Sequence, residues 1–172
     1  MRVTVRPMPS VRRLGAHEWR AYRDLRLRAL GDSPDAFAST LEEARRRPDA
    51  HWAERLASGA ASAWDLPLVA EEGGELVGMA WGTIDPAAPE TAHVIQMWVA
   101  PEGRGRGCGA LLLDAVVAWA RGAKARSVVL AVTCGDTPAW RLYSRVGFRP
   151  AGDPEPLRPG SALLAQPMRL DL

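Results

Sequence analysis

The chain has 172 residues, 47% of them hydrophobic and 24% charged, with a formal net charge of +2. That suits one domain around one sizeable core, and it excludes a mostly disordered chain, a collagen and a disulfide-dense miniprotein. There is no apolar run of the ~20 residues that a membrane helix needs. The start, Met1-Arg-Val-Thr-Val-Arg-Pro7, lacks the apolar stretch of a secretory leader, so the cytoplasm is the expected location. The balance of 22 basic against 20 acidic residues lacks the excess of a general nucleic-acid binder.

In chain order, Val3 and Val5 alternate with polar residues and predict a short first strand. From Ala16 to Leu30 the period becomes helical, with Trp19, Tyr22, Leu25 and Ala29 on one side. Arg20, Arg23, Arg26 and Arg28 read as a solvated basic face, and Gly31 as the stop. Asp32-Ser-Pro-Asp35 is turn chemistry. Thr40 and Glu43 form a capping box that opens a second helix, and after Pro48 a restart at Asp49 carries Trp52 and Leu56. Leu66–Ala70 and Leu76–Ile84 are strands joined by a tight turn at Gly73-Gly74. After a flexible stretch from Asp85 to Glu90, His93–Val99 predicts a buried strand that Pro101 ends. Glycine is too dense from Gly103 to Gly109 for regular structure, and Ala110–Ala120 is an apolar helix. Val128–Val132 is a strand. Thr137-Pro138 starts a helix that runs to Val146 and stops at Gly147. Ser161–Leu170 is a last strand. The order predicts a mixed α/β domain with a partly antiparallel sheet.

The segment with chemical content runs from Met97 to Gly109: a strand, a glycine-rich loop and the N-terminus of a helix. Backbone N–H groups there have no intrahelical partner, and the helix dipole adds positive charge. Together they make a cradle for a phosphate or pyrophosphate, to which Arg104 and Arg106 add charge-assisted bonds. A Walker loop needs Gly-Lys-Ser/Thr, which is absent. Gly105-x-Gly107-x-x-Ala110 partly fits a dinucleotide fingerprint, but it follows a hairpin instead of opening a parallel βαβ unit. No HExxH, CxxC or GxSxG occurs, and Cys108 and Cys134 are not spaced as metal ligands, so no metal is expected.

Arg104-Gly105-Arg106-Gly107-Cys108-Gly109 resembles the Arg/Gln-x-x-Gly-x-Gly/Ala signature of the GNAT superfamily of N-acetyltransferases. Trp98-Val99-Ala100-Pro101-Glu102 is similar to the strand end that precedes it in that family, and Val132–Phe148, with Leu142-Tyr143 and Gly147-Phe148, to a second family element. Arg26-Leu27 with Asp32-Ser-Pro-Asp-Ala-Phe37 resembles one branch. The resemblance implies a GNAT fold over residues 1–172 as a single domain: a mixed, mostly antiparallel sheet of six or seven strands with about four helices.

It also implies direct transfer of an acetyl group from acetyl-CoA to a primary amine. Met97, Trp98 and Val99 would line the acetyl and pantetheine path. Residues 104–109, namely Arg104, Gly105, Arg106, Gly107, Cys108 and Gly109, would hold the pyrophosphate, Cys108 through its backbone. The family's asparagine positions in the loop after the fifth strand hold Thr133 and Asp136. Tyr143 is implied as the acid that protonates the leaving thiolate, with a packing role as its alternative. His93 stands where the family often carries a glutamate base, and it reads either as the base or as an imidazole bonded within the sheet. Glu90 and Asp85 are second choices, acting through a water.

The acceptor is the least determined part. A small-molecule amine is preferred over a peptide or protein amine. The acidic residues between Asp32 and Glu54 are candidates for attracting a cation, and Trp64 and Trp81 for an aromatic wall. A homodimer is expected by analogy, without nucleic-acid or membrane partners. The rival reading is a non-catalytic regulatory module that binds acetyl-CoA.

Overall fold

The computed structural model describes residues 7–172. Its strands are β1 (Ser10–Arg13), β2 (Asp65–Glu72), β3 (Glu75–Ile84), β4 (Thr91–Val99), β5 (Ser127–Thr133), β6 (Arg149–Pro150), β7 (Glu155–Pro156) and β8 (Leu164–Asp171). Its helices are α1 (Trp19–Asp32), α2 (Leu41–Arg45), α3 (Asp49–Ala61), α4 (Cys108–Gly122) and α5 (Pro138–Val146). The eight-stranded sheet runs β1-β2-β3-β4-β5-β8-β6, with β7 also on β8. Every neighbouring pair is antiparallel except β4 and β5.

Neighbouring residues of a strand face opposite sides of the sheet. In β3 they show which helices lie where. A Cβ on Gly59 of α3 would collide with the Trp81 indole, and a Cβ on Gly82 would meet Trp119 and Val116 of α4. So α3, with α1 beside it, covers one face and α4 the other. On the first face Tyr22 packs against Trp52 and Trp81, with ring centroids 5.7 and 5.6 Å away. On the second, Leu112, Leu113, Val116, Val117 and Ala120 recur at the helical period and are buried.

Caps fix the ends of several helices. Thr40 and Glu43 close the capping box of α2, each accepting the other's backbone N–H at 3.2 and 3.0 Å. Thr137 Oγ1 accepts the Trp140 N–H at the start of α5, and Gly147 ends that helix at a φ of 116°. Pro48 stands just ahead of α3.

Several expectations change. The Val3/Val5 strand lies outside the described residues, and the first described strand is Ser10–Arg13. Gly31 does not stop α1; the helix continues to Asp32, and the Ser33 N–H bonds the Ala29 carbonyl just before Pro34. Arg26 is not on a solvated face but buried. The sheet has more strands than expected because β6 and β7 are two-residue strands without a hydrophobic pattern. β4 is not buried on both faces: Ala92 and Val94 are buried under α4, whereas His93 and Ile95 are exposed on the other side.

Candidate active site

The sheet parts between β4 and β5. They pair in parallel from Thr91/Ser127 to His93/Val129, and there the register stops. Beyond that point β4 stays with β3 and β5 with β8. A bulge falls in the separated part of β4: Trp81 pairs with Ile95 and Met79 with Trp98, which leaves Gln96 and Met97 without a partner in the register. Gln96 takes a φ of 54°, rare for a non-glycine residue, and its Oε1 accepts the Tyr22 hydroxyl hydrogen at 3.0 Å. The bulge thus falls in the stretch of β4 that no longer pairs with β5.

His93 sits at the vertex of this fork, as the last paired residue of β4. It is exposed on the α1/α3 face, and its ring makes no hydrogen bond among the described residues. The bulge then reverses the alternation. Trp98 turns to the α1 side, where its Nε1 donates to Asp32 Oδ2 at 3.0 Å. Met97 and Val99 turn to the α4 side, each within van der Waals reach of a Cβ built on Gly109.

The glycine loop lies at the end of β4. Gly105 and Gly107 both have positive φ, 70° and 86°, and open space where a Cβ would stand. Gly107 is the N-cap of α4, and the first helical bond runs from the Leu111 N–H to the Gly107 carbonyl at 3.0 Å. No backbone N–H of residues 105–110 donates to a backbone carbonyl among the described residues. A run of free amides at the positive end of a 15-residue helix is an anion cradle.

The arginines of this loop are already engaged. Arg104 Nε donates to the Val99 carbonyl at 3.0 Å and Nη2 to Asp32. Arg106 pairs with Glu72, at the end of β2. They pin the loop from both sides, and the amides are left as its free donors. Asp32 thus receives Ser33, Trp98 and Arg104, which together hold its carboxyl below the usual range. Sequence reasoning placed Asp32 in a turn and missed this hub, because its partners lie 66 and 72 residues away.

α5 lies beside the first turn of α4: a Cβ on Gly109 would come within 2.9 Å of Leu142. The next residue, Tyr143, is buried, with its ring 6.1 Å from that of Phe148. Burial pushes its phenol above the ordinary tyrosine range. The Cys108 thiol is buried and shifted upward chiefly by desolvation, so its surroundings do not favour a thiolate. Cys134 is exposed.

Other expected site residues are already engaged. The Thr133 hydroxyl donates to the Asp35 carbonyl at 2.6 Å, tying the end of β5 to the turn after α1. Asp136 pairs with Arg141 at the start of α5. Trp81 is 1% exposed and donates to Asp65, so it cannot wall an open cleft, whereas Trp64 is 39% exposed. Of the acidic group, Asp32, Glu42, Glu43 and Asp49 are occupied by Arg104, Arg46, the α2 cap and Arg23 respectively. Among the described residues no cluster of His, Cys, Asp and Glu could hold a metal, and no helix is long and apolar enough to cross a membrane.

The profile of the acetyltransferase (GNAT) family matches residues 19–148. The chain belongs to this family. Its curated relatives include the mycothiol acetyltransferases of Thermobispora bispora, 32% identical over 74% of this chain and 42% of the relative, and of Acidothermus cellulolyticus, 30% identical over 75% and 41%. The chain thus spans about two fifths of the length of these relatives.

Among solved structures, the GNAT acetyltransferase of Streptococcus pneumoniae superposes with a TM-score of 0.80 at 18% identity, covering 95% of this chain and 99% of that one. The spermidine N-acetyltransferase of Vibrio cholerae, solved with CoA and spermine, superposes at 0.76 and 17% identity, covering 95% of each chain. These similarities establish the GNAT fold.

Proposed function

We propose that the chain transfers an acetyl group from acetyl-CoA directly to a primary amine of a small molecule. The observation that carries this reading is the run of unpartnered amides at residues 105–110, set at the mouth of a fork in the sheet. The site fits the donor: positive-φ glycines without side chains let a diphosphate approach the backbone, and the α4 dipole favours its charge. Acetyl-CoA supplies the thioester.

The chain's own residues do the rest. His93, exposed at the vertex, takes the proton that the amine must lose before it attacks. The backbone N–H at Met97, which lies in the bulge outside the strand register, donates to the carbonyl oxygen as charge develops there, an effect worth about 3 kcal/mol in comparable sites. The C–S bond breaks, and Tyr143, a phenol that is protonated at neutral pH, gives its proton to the departing sulfur. His93 opens on the α1/α3 face, while the glycine loop and α5 lie by the α4 N-terminus. Amine and donor would then meet through the fork from opposite sides of the sheet.

Release of CoA thiol from acetyl-CoA, followed across a panel of primary amines, tests the reading. Turnover with at least one amine, reduced ~10²-fold or more in His93→Gln, is the expected result. Binding of acetyl-CoA without turnover on any amine would favour a regulatory module instead.

A further inference from the structure

Arg26 takes no part in the chemistry above, yet it is 7% exposed and lies one helical turn from Tyr22 on α1. Its guanidinium stacks 4.4 Å above the Phe37 ring. Nη1 is buried with no hydrogen-bond partner among the described residues. No carboxylate faces it; burial lowers its pKa to about 10, with Tyr22 opposing that shift and a second cation, Arg47, adding to it. The group is still charged at neutral pH. A buried cation with an unused donor and no counter-ion is costly to keep, and an anion from outside would relieve it.

Its position says where that anion comes from. Phe37 follows the turn at residues 34–36, whose Asp35 carbonyl accepts the Thr133 hydroxyl hydrogen at the end of β5. The Pro34 and Phe37 carbonyls accept hydrogen bonds from Arg158. On the same helix Tyr22 reaches Gln96 at the β4 bulge. Arg26 therefore lies behind the lip of the fork, on the face where His93 opens, with Phe37 as its cover.

We propose that Arg26 determines acceptor specificity by binding an oxyanion on the acceptor, so that the substrate is an amine that also carries a carboxylate or phosphate. The amine end of this inference rests on the acetyl-transfer reading; the oxyanion end does not. Displacement of the Phe37 ring exposes the unused Nη1 donor, and the planar fork suits two oxygens of one group.

Calorimetric titration of the full chain with matched pairs tests it. The probes are L-amino acids against their carboxamides, and O-phosphoethanolamine against ethanolamine. The wild type should bind the oxyanion-bearing member of one series about 10- to 100-fold tighter, the effect of a charge-assisted hydrogen bond. The two series separate carboxylate from phosphate. In Arg26→Met the preference should vanish while the acetyl-CoA titration is unchanged, and the melting temperature should not fall, since an unpaired buried charge is replaced by an apolar chain of similar reach. Arg26→Lys should retain part of the preference.

Absence of any preference in the wild type, or its survival in Arg26→Met, would overturn the inference. Acetyl-CoA is titrated on the same protein, so failure at the donor site is read separately from failure at Arg26.

Discussion

At the scale of the residue, the site depends on which polar groups are left without partners. Tyr143 is buried, carries a protonated phenol and sits next in sequence to the Leu142 that meets the first turn of α4. Tyr143→Phe should lower kcat ~10- to 10³-fold with little change in the melting temperature, measured by thiol release and calorimetry. Unchanged turnover would remove the acid role.

The upward shift of this phenol also has a sign in stability. The unfolded chain loses the proton near pH ~10, while the folded protein holds it. The stabilisation is therefore complete below that pH and is lost as pH rises toward the folded value. Wild-type melting temperature should fall above pH ~10, and that alkaline slope should be smaller in Tyr143→Phe. Equal slopes would mean that the phenol is not held protonated by the fold.

His93 and Tyr143 stood out as candidates in the sequence because the family resemblance marks their positions. Arg26 and Gln96 did not. Arg26 falls between apolar positions like its solvated neighbours, and only the packing of Phe37 from the next turn buries it. Gln96 looks like any strand residue until the bulge gives it a positive φ.

At the scale of the element, local chemistry was legible and long-range chemistry was not. The capping box at Thr40 and Glu43, the Thr137 cap and the Gly147 stop are written in three or four adjacent residues, and each forms as the spacing predicts. The Gly31 stop failed because tertiary packing of Ala29 and Leu30 carries α1 one residue further, to where Pro34 intervenes. β4 read as a buried strand because its residues are apolar; the side that faces the fork is open all the same.

Asp32 illustrates the long-range case. At the end of α1 it binds the Trp98 indole and Arg104, so it clamps both the strand end and the glycine loop to the helix. Asp32→Asn keeps the shape and removes the charge. It should lower the melting temperature by about 2–4 °C, as expected for a loss near 1 kcal/mol in a domain of this size. An unchanged melting temperature would show that the clamp does not contribute to stability.

At the scale of the molecule, the sheet behaves as two half-sheets. β1–β4 form one and β5–β8 the other, and three residue pairs of parallel ladder join them. The rest of that seam has no ladder. The sheet is thus interrupted between β4 and β5, and the end of β4 leads through the glycine loop into the α4 N-terminus. The motif from Arg104 to Gly109 marked the loop that enters α4. The parting of β4 from β5 was not legible, because it arises from pairing choices between strands far apart in sequence.

The central claim is that the free amides of residues 105–110 grip the diphosphate of acetyl-CoA. Titration calorimetry of the wild type against Gly107→Val measures it most directly. A branched side chain at a φ of 86° strains the backbone and intrudes on the open cradle. The account predicts one saturable site in the wild type and at least ~10-fold weaker binding in the variant. No heat from the wild type at saturating acetyl-CoA, or equal affinity in both proteins, would contradict it.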